Sequence, residues 1–359
     1  MASAQKRVNL AQTYRNFNVE VPEKDLVGST HLPHLNAKEF QLRISDPVQN
    51  VTPQEFHESF DVNPSGNVVV AINDYRTRFL VGHFWGFRSI QDYKEQRKHL
   101  KITKPVTNTP VNVIRFIQDS LVALGRAGGT VELWSTNESM EGYFLVDQRN
   151  QHIGSVLDLD VFRESRSHIV TVDAEACIKI WEVNLVDAIC VNTFRNAHGG
   201  AIGSVATRPG SDNIFATASR DRSALLWDYR LSTKPASGLY GKHNTSLTAI
   251  AWTMDGEKEE SSVVKVGDSA GTVLTIDIRK PNEVVQEVSA FRRPVKRINA
   301  TKGKFAFCGH TNALKMYSND DSLILEDTSS EDFVRDVAFN AGKVIGLCWD
   351  GNVVEKDDV

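Results

Sequence analysis

His198, Ser219 and Asp221 place an imidazole, a hydroxyl and a carboxylate in one stretch of chain, the residue types of a nucleophilic triad. GRAGG (Gly125–Gly129) has the composition of a phosphate-cradling loop, and His31-x-x-His34 offers two imidazoles near metal-ligand spacing. Each needs a particular support. A phosphate loop needs a helix behind it, but GTVELW after GRAGG reads as a strand, so a tight turn with glycine at positive φ is expected. His31 and His34 have no acid or cysteine at ligand spacing, and Pro33 denies them a helix, so they read as part of an extended arm. No metal, cofactor or catalytic residue is expected from these groups. The His198–Ser219–Asp221 set turns on the elements that carry it.

The chain has 359 residues, 41% of them hydrophobic and 24% charged, enough for a large core. Its net charge of −4 argues against a general nucleic-acid grip. The basic stretches Arg88–Lys104 and Arg292–Arg297 read as solvated loop faces. None of Cys177, Cys190, Cys308 and Cys348 forms a C-x-x-C pair, which suggests buried reduced thiols. No run approaches the length of a membrane span, and the first residues lack a signal-peptide core. A soluble protein is expected, in the cytoplasm and with the nucleus as a second location.

One pattern recurs along the chain: a short alternating strand, a second apolar run, a polar turn and a third strand ending in an aromatic residue or its substitute. The clearest copies start at Pro110, Ser155 and Ala201, weaker ones at Ser246, Pro294 and Phe333, and a divergent first copy at Gly66. The third-strand anchors are Trp85, Trp134, Trp181, Trp227, Ile276, Tyr317 and Lys356, separated by 49, 47, 46, 49, 41 and 39 residues. Such spacing predicts seven four-stranded propeller blades. No segment holds a helical period over several turns. The fold expected is therefore all-β, a seven-bladed propeller over residues 53–359 with an extension over residues 1–52 outside it.

IKIWEV, ALLWDY and VELWS end their copies as repeats of the WD-repeat family do, and the chain resembles that family. The resemblance implies that His198, Ser219, Asp221 and Trp227 form a buried hydrogen-bonded chain that holds a blade together, not an active site. It also implies a ring closed by an N-terminal strand lent to the last blade, for which QEFHESFDV (Gln54–Val62) is the candidate.

Two surface stretches stand out. NDYRTRFL (Asn73–Leu80) falls between two strands of the first blade and puts aromatic residues and arginine near a hairpin tip, the composition of a binding hot spot; Tyr75, Arg76, Phe79 and Leu80 are the expected partner contacts. The acidic Asn319–Asp332 reads as a solvated connection. Within the family, KPAS from Lys234, GDSAGTVLTID from Gly267 and EDFVRDVAFN followed by CWDGNVVEK are similar to WD-repeat subunits of methylosome complexes. That likeness implies a non-catalytic partner of a type II protein arginine methyltransferase in a hetero-oligomer, helping to present Sm proteins and histone tails. The alternative is a substrate receptor of a cullin-type ubiquitin ligase, for which Asp228 and Arg230 of WDYR would contact the adaptor. Neither reading involves a membrane or direct contact with nucleic acid.

Overall fold

The computed structural model describes residues 55–74, 81–96, 109–231, 235, 237–241, 244–254 and 261–358. The described strands form seven antiparallel sheets that follow one another along the chain. Five have four strands and the first and last have three. All seven anchors fall on the third strand of their sheet, Trp134 on Thr130–Thr136, Trp181 on Ile178–Val183 and Trp227 on Ala224–Asp228. The expected seven-bladed β-propeller is what the chain forms.

The period-2 alternation places apolar side chains on both faces of the middle strands, as blades packed on both sides require. The second strands are buried almost throughout, as in Leu121–Arg126. Seven buried clusters result, one between each pair of neighbouring blades; the one joining last to first contains Phe60, Val70 and Trp85 with Ala338 and Leu347. The core is thus a ring of interfaces rather than a central mass.

The inner strands share a device that composition does not reveal. Each has a register shift at the same place, after His57, Val111, Val156, Ile202, Leu247, Val295 and Val334. A bulge adds one residue and sharpens the local twist, which turns each inner strand around the crowded axis.

The closing strand differs from the expectation. Glu55–Val62 is not lent to the last blade; it is the innermost strand of the first, pairing with Val68–Asp74. The first blade therefore begins one strand before Gly66. Ser59-Phe60-Asp61-Val62 occupies the register of Asp158-Leu159-Asp160-Val161 in the third blade, directly after the bulge. The ring joins through inner strands: the Asp336 carboxylate accepts Ser59 Oγ at 2.8 Å and the Phe60 amide at 3.1 Å. The helix Ile90–Gln96 braces the same junction, Tyr93 donating its hydroxyl to the Gly351 carbonyl at 2.8 Å. No helix among the described residues is long and apolar enough to cross a membrane.

Candidate functional site

In the fourth blade Phe215 lies opposite Trp227 and Thr217 opposite Leu225. Trp227 Nε1 donates to Thr217 Oγ1 at 2.9 Å, and His198 Nε2 lies 2.8 Å from the same hydroxyl. His198 Nδ1 lies 3.0 Å from Asp221 Oδ2. With the indole as donor at one end and the Asp221 carboxylate as acceptor at the other, a neutral imidazole protonated on Nδ1 completes a chain from indole to hydroxyl to imidazole to carboxylate. Burial pushes His198 below its ordinary range, with Asp221 opposing, in keeping with the neutral form. For Asp221, burial acts upward, but the bonds from Ser223 and the Gly199 amide outweigh it and hold the carboxyl low.

Ser219 is not in this chain. Its hydroxyl donates to the Gly200 and Ala201 carbonyls at 3.1 and 3.0 Å and accepts the Asp221 amide at 3.1 Å. A strand rises about 3.4 Å per residue, so Ser219 lies about 7 Å beyond Thr217 and out of the indole's reach. The hydroxyl and the imidazole of the apparent triad therefore do not meet, and the hydroxyl that does is sealed under Trp227.

The third blade holds the same chain, in which His152 and Thr171 join the Trp181 anchor and Asp173. Trp181 Nε1 donates to Thr171 Oγ1 at 2.8 Å, His152 Nε2 lies 2.7 Å from that hydroxyl, and His152 Nδ1 lies 2.8 Å from Asp173. The signal was present: threonine precedes tryptophan by ten positions in both blades. The acid differs. Asp173 ends its strand opposite Val156, the register Ser219 holds opposite Ile202, whereas Asp221 sits two residues further into the turn. Cys177 Sγ lies near His152 and Asp173, the three donor atoms being within 4.8 Å of one another. Both imidazole nitrogens are engaged, and burial with the Asp173 charge pushes the Cys177 thiol up, so these groups form part of the joint rather than an ion cage.

Other blades replace the chain. In the second, Trp134 Nε1 donates to Glu132, which pairs at 2.9 Å with the buried Arg126. In the fifth, Thr245 Oγ1 donates to Asp268 at 2.6 Å, and Asp268 also accepts the Ala270 and Thr272 amides. Of the glycines in GRAGG, only Gly129 takes positive φ, at 81°. A Cβ there would lie 2.4 Å from the His152 carbonyl oxygen, so the turn needs glycine for space as well as for φ.

Asp228 and Arg230 bind each other, Arg230 Nη2 to Oδ2 at 2.7 Å and Nε to Oδ1 at 3.0 Å. Asp277 and Arg279 repeat this pairing one blade on, at 2.6 and 2.9 Å. The WDYR pair is thus a strand-end feature that occurs twice. Tyr75, Arg76, Phe79 and Leu80 lie outside the described residues, between the strands Val68–Asp74 and Val81–Phe87. Residues 1–52, with His31 and His34, lie outside them as well.

The axis carries a constellation that sequence reading missed. Arg297 Nη1 lies 2.8 and 2.9 Å from the two Asp158 oxygens, and its Nε lies 3.4 Å from Asp336. Arg115 Nη1 lies 3.5 Å from Asp336 and donates to Ser59 at 3.0 Å. Asp158 also accepts Ser204 Oγ and the Val205 amide, the arrangement that Asp336 makes with Ser59 and Phe60. One residue along each strand from Ser59, Asp336 and Arg297, Glu58 bonds Arg335 at 2.6 Å and Lys296 at 3.1 Å; burial acts upward on Glu58, but these cations bring its pKa to about 2. Asp158 is likewise held low, Arg297 and Arg115 overcoming its burial.

A closed ring of seven sheets, two of them pinned by tryptophan–threonine–histidine–aspartate chains, defines a seven-bladed β-propeller similar to those of WD-repeat proteins. No protein-family model matches the chain. It is similar to "Protein valois" of Drosophila melanogaster, 25% identical over 280 residues that cover 74% of each chain. It is also similar to "Methylosome protein WDR77" of Xenopus laevis, 24% identical over 303 residues, 80% of this chain and 85% of that one. Among solved structures, a chain of "COPII on membranes, outer coat vertex" superposes with a TM-score of 0.70 over 85% of this chain and 84% of that one; at 12% identity it shares the fold alone.

Proposed function

We propose that the chain is a non-catalytic adaptor in an arginine methyltransferase complex. It would bind and stabilise a type II protein arginine methyltransferase and help present Arg/Gly-rich Sm proteins and histone tails for symmetric dimethylation. The observation that carries this reading is the span of the likeness: a relative named as a methylosome protein matches over 80% of this chain, most of the ring rather than one repeat. The groups of the apparent triad support it too, since His198 and Asp221 are occupied with Thr217 in a closed hydrogen-bonded joint and Ser219 is bonded elsewhere. The proposed contact is the connection holding Tyr75, Arg76, Phe79 and Leu80, in a hetero-oligomer.

Pull-down from lysate tests this directly. The methyltransferase is expected to be recovered with the wild-type chain and lost with a Tyr75/Phe79/Leu80 triple alanine variant whose circular dichroism is unchanged. Equal recovery by that variant removes the loop from the interface, and recovery of a cullin adaptor without methyltransferase overturns the reading. The purified chain alone is expected to transfer no methyl group from S-adenosylmethionine.

A further inference from the structure

Where the inner strands end, a well of about 540 Å³ is walled by residues of six of the seven blades, Arg115 of the axial cluster among them. Arg297 of the sixth blade pairs with Asp158 of the third, so side chains cross the channel next to the well, an arrangement that suits the end of a chain or a single side chain better than a threaded segment.

Its charge is uneven. Asp61 and Asp160 face it, but their oxygens are taken by the next blade: Asp61 accepts the Phe116 amide at 2.8 Å, and Asp160 accepts the Thr207 amide and hydroxyl at 2.7 and 2.8 Å. The cations are less committed. Arg163 and Arg166, between the strands Val156–Val161 and His168–Asp173, and Lys302, between Val295–Thr301 and Lys304–Gly309, are exposed on the wall and make no ion pair or side-chain hydrogen bond among the described residues. At the floor Arg115 spends Nη1 on Ser59, the Phe60 and Ile114 carbonyls and Asp336. Among the described residues its Nε and Nη2 make no hydrogen bond, and the side chain keeps 14% of its surface exposed, leaving one edge of a guanidinium fork available. Arg166 also holds φ of 48°, a conformation costly for a side chain and kept here at the rim. Phe116, Val161 and Phe339 give the wall an apolar part.

The geometry points to a binding site for the end of an acidic peptide, with a carboxylate on the free edge of Arg115, further acids on Arg163, Arg166 and Lys302, and an apolar side chain on the wall. A planar fork pairs a carboxylate through two hydrogen bonds, and unpaired cations at a concave mouth steer an anion inward. The apolar wall favours a peptide over a polyphosphate, which would leave it unused. The site opens where the inner strands end and does not depend on the methyltransferase reading.

Fluorescence anisotropy with a labelled Asp-Glu-Asp-Glu-Asp-Leu peptide bearing a free C-terminal carboxylate tests the site on the full chain. Saturable binding that weakens with added salt is expected. An R163E/R166E/K302E variant, altered only at exposed side chains, is expected to keep its melting temperature and lose binding by about tenfold or more, and the C-terminal amide of the peptide is expected to bind more weakly. Unchanged affinity in the variant, or no binding at millimolar peptide, overturns the proposal. Inositol hexakisphosphate binding more tightly than the peptide, and displacing it, would reassign the well to polyphosphates.

Discussion

Arg297 of the sixth blade reaches across the channel to Asp158 of the third, its Nη1 lying 2.8 and 2.9 Å from the two carboxylate oxygens. The partners are 139 residues apart and their blades are not neighbours, so this pair ties opposite sides of the ring.

Removing one member leaves a buried charge uncompensated. Arg297→Ala is expected to cost about 3–5 kcal/mol in denaturant unfolding. Arg279→Ala, which removes the exposed partner of Asp277, should leave the midpoint unchanged. Equal effects from the two would deny the channel pair its structural role.

Thr217 serves two partners in the fourth-blade joint and Ser219 serves none of them. Thr217→Val leaves an imidazole nitrogen and the indole nitrogen without their shared oxygen and is expected to cost about 1–3 kcal/mol. It should also change the near-ultraviolet signal of Trp227. Ser219→Ala is expected to cost about 1 kcal/mol and leave that signal alone. The reverse order would restore Ser219 to the chain.

Acid should unfold the protein in two stages. His198 is held below its ordinary 6.5, so under that pH the unfolded chain takes up a proton that the folded one refuses, and stability falls as pH drops. Glu58 has a pKa of about 2 against an ordinary 4.5, so its contribution is full above 4.5 and is lost as pH falls towards 2. Midpoints measured against pH should lose slope near 6 in His198→Gln and near 4 in Glu58→Gln. A slope near 6 that survives in His198→Gln assigns it to another group.

One turn position recurs with positive φ before the third strand, at Gly129, Ala176, Arg222, Gly271 and Gly351. At Gly271 a Cβ would lie 2.5 Å from the Phe291 carbonyl oxygen. Gly271→Ala is therefore expected to lower the melting temperature, by an effect of at least about 1 kcal/mol, while Arg222→Gly should be neutral or stabilising. Thermal melts of the two variants decide it.

Ring closure runs through Asp336 on Ser59 and Phe60. Hydrogen exchange of Asp336→Ala should rise first in Glu55–Val62 and Val334–Asn340, with the Trp181 and Trp227 blades protected longest. Uniform loss of protection would mean the ring has no weakest junction.

The sequence by itself determined the number of blades and the third-strand anchors, because period-2 alternation and the spacing from Trp85 to Lys356 are local properties of the chain. It also marked His198, Asp221 and Trp227 as a structural joint. It did not decide which hydroxyl completes that joint: Thr217 and Ser219 lie on one face of one strand, and only the pairing of that strand with Ala224–Asp228 sets which meets the indole. Nor did it place Glu55–Val62, since an inner and a lent outer strand read alike until their partner is known. The axis was the least legible part. Arg115, Asp158, Arg297 and Asp336 are scattered over four blades, and each alone reads as an ordinary strand charge. Closing the ring turned the inner strands toward a common axis, and out of water those charges hold only by pairing with one another.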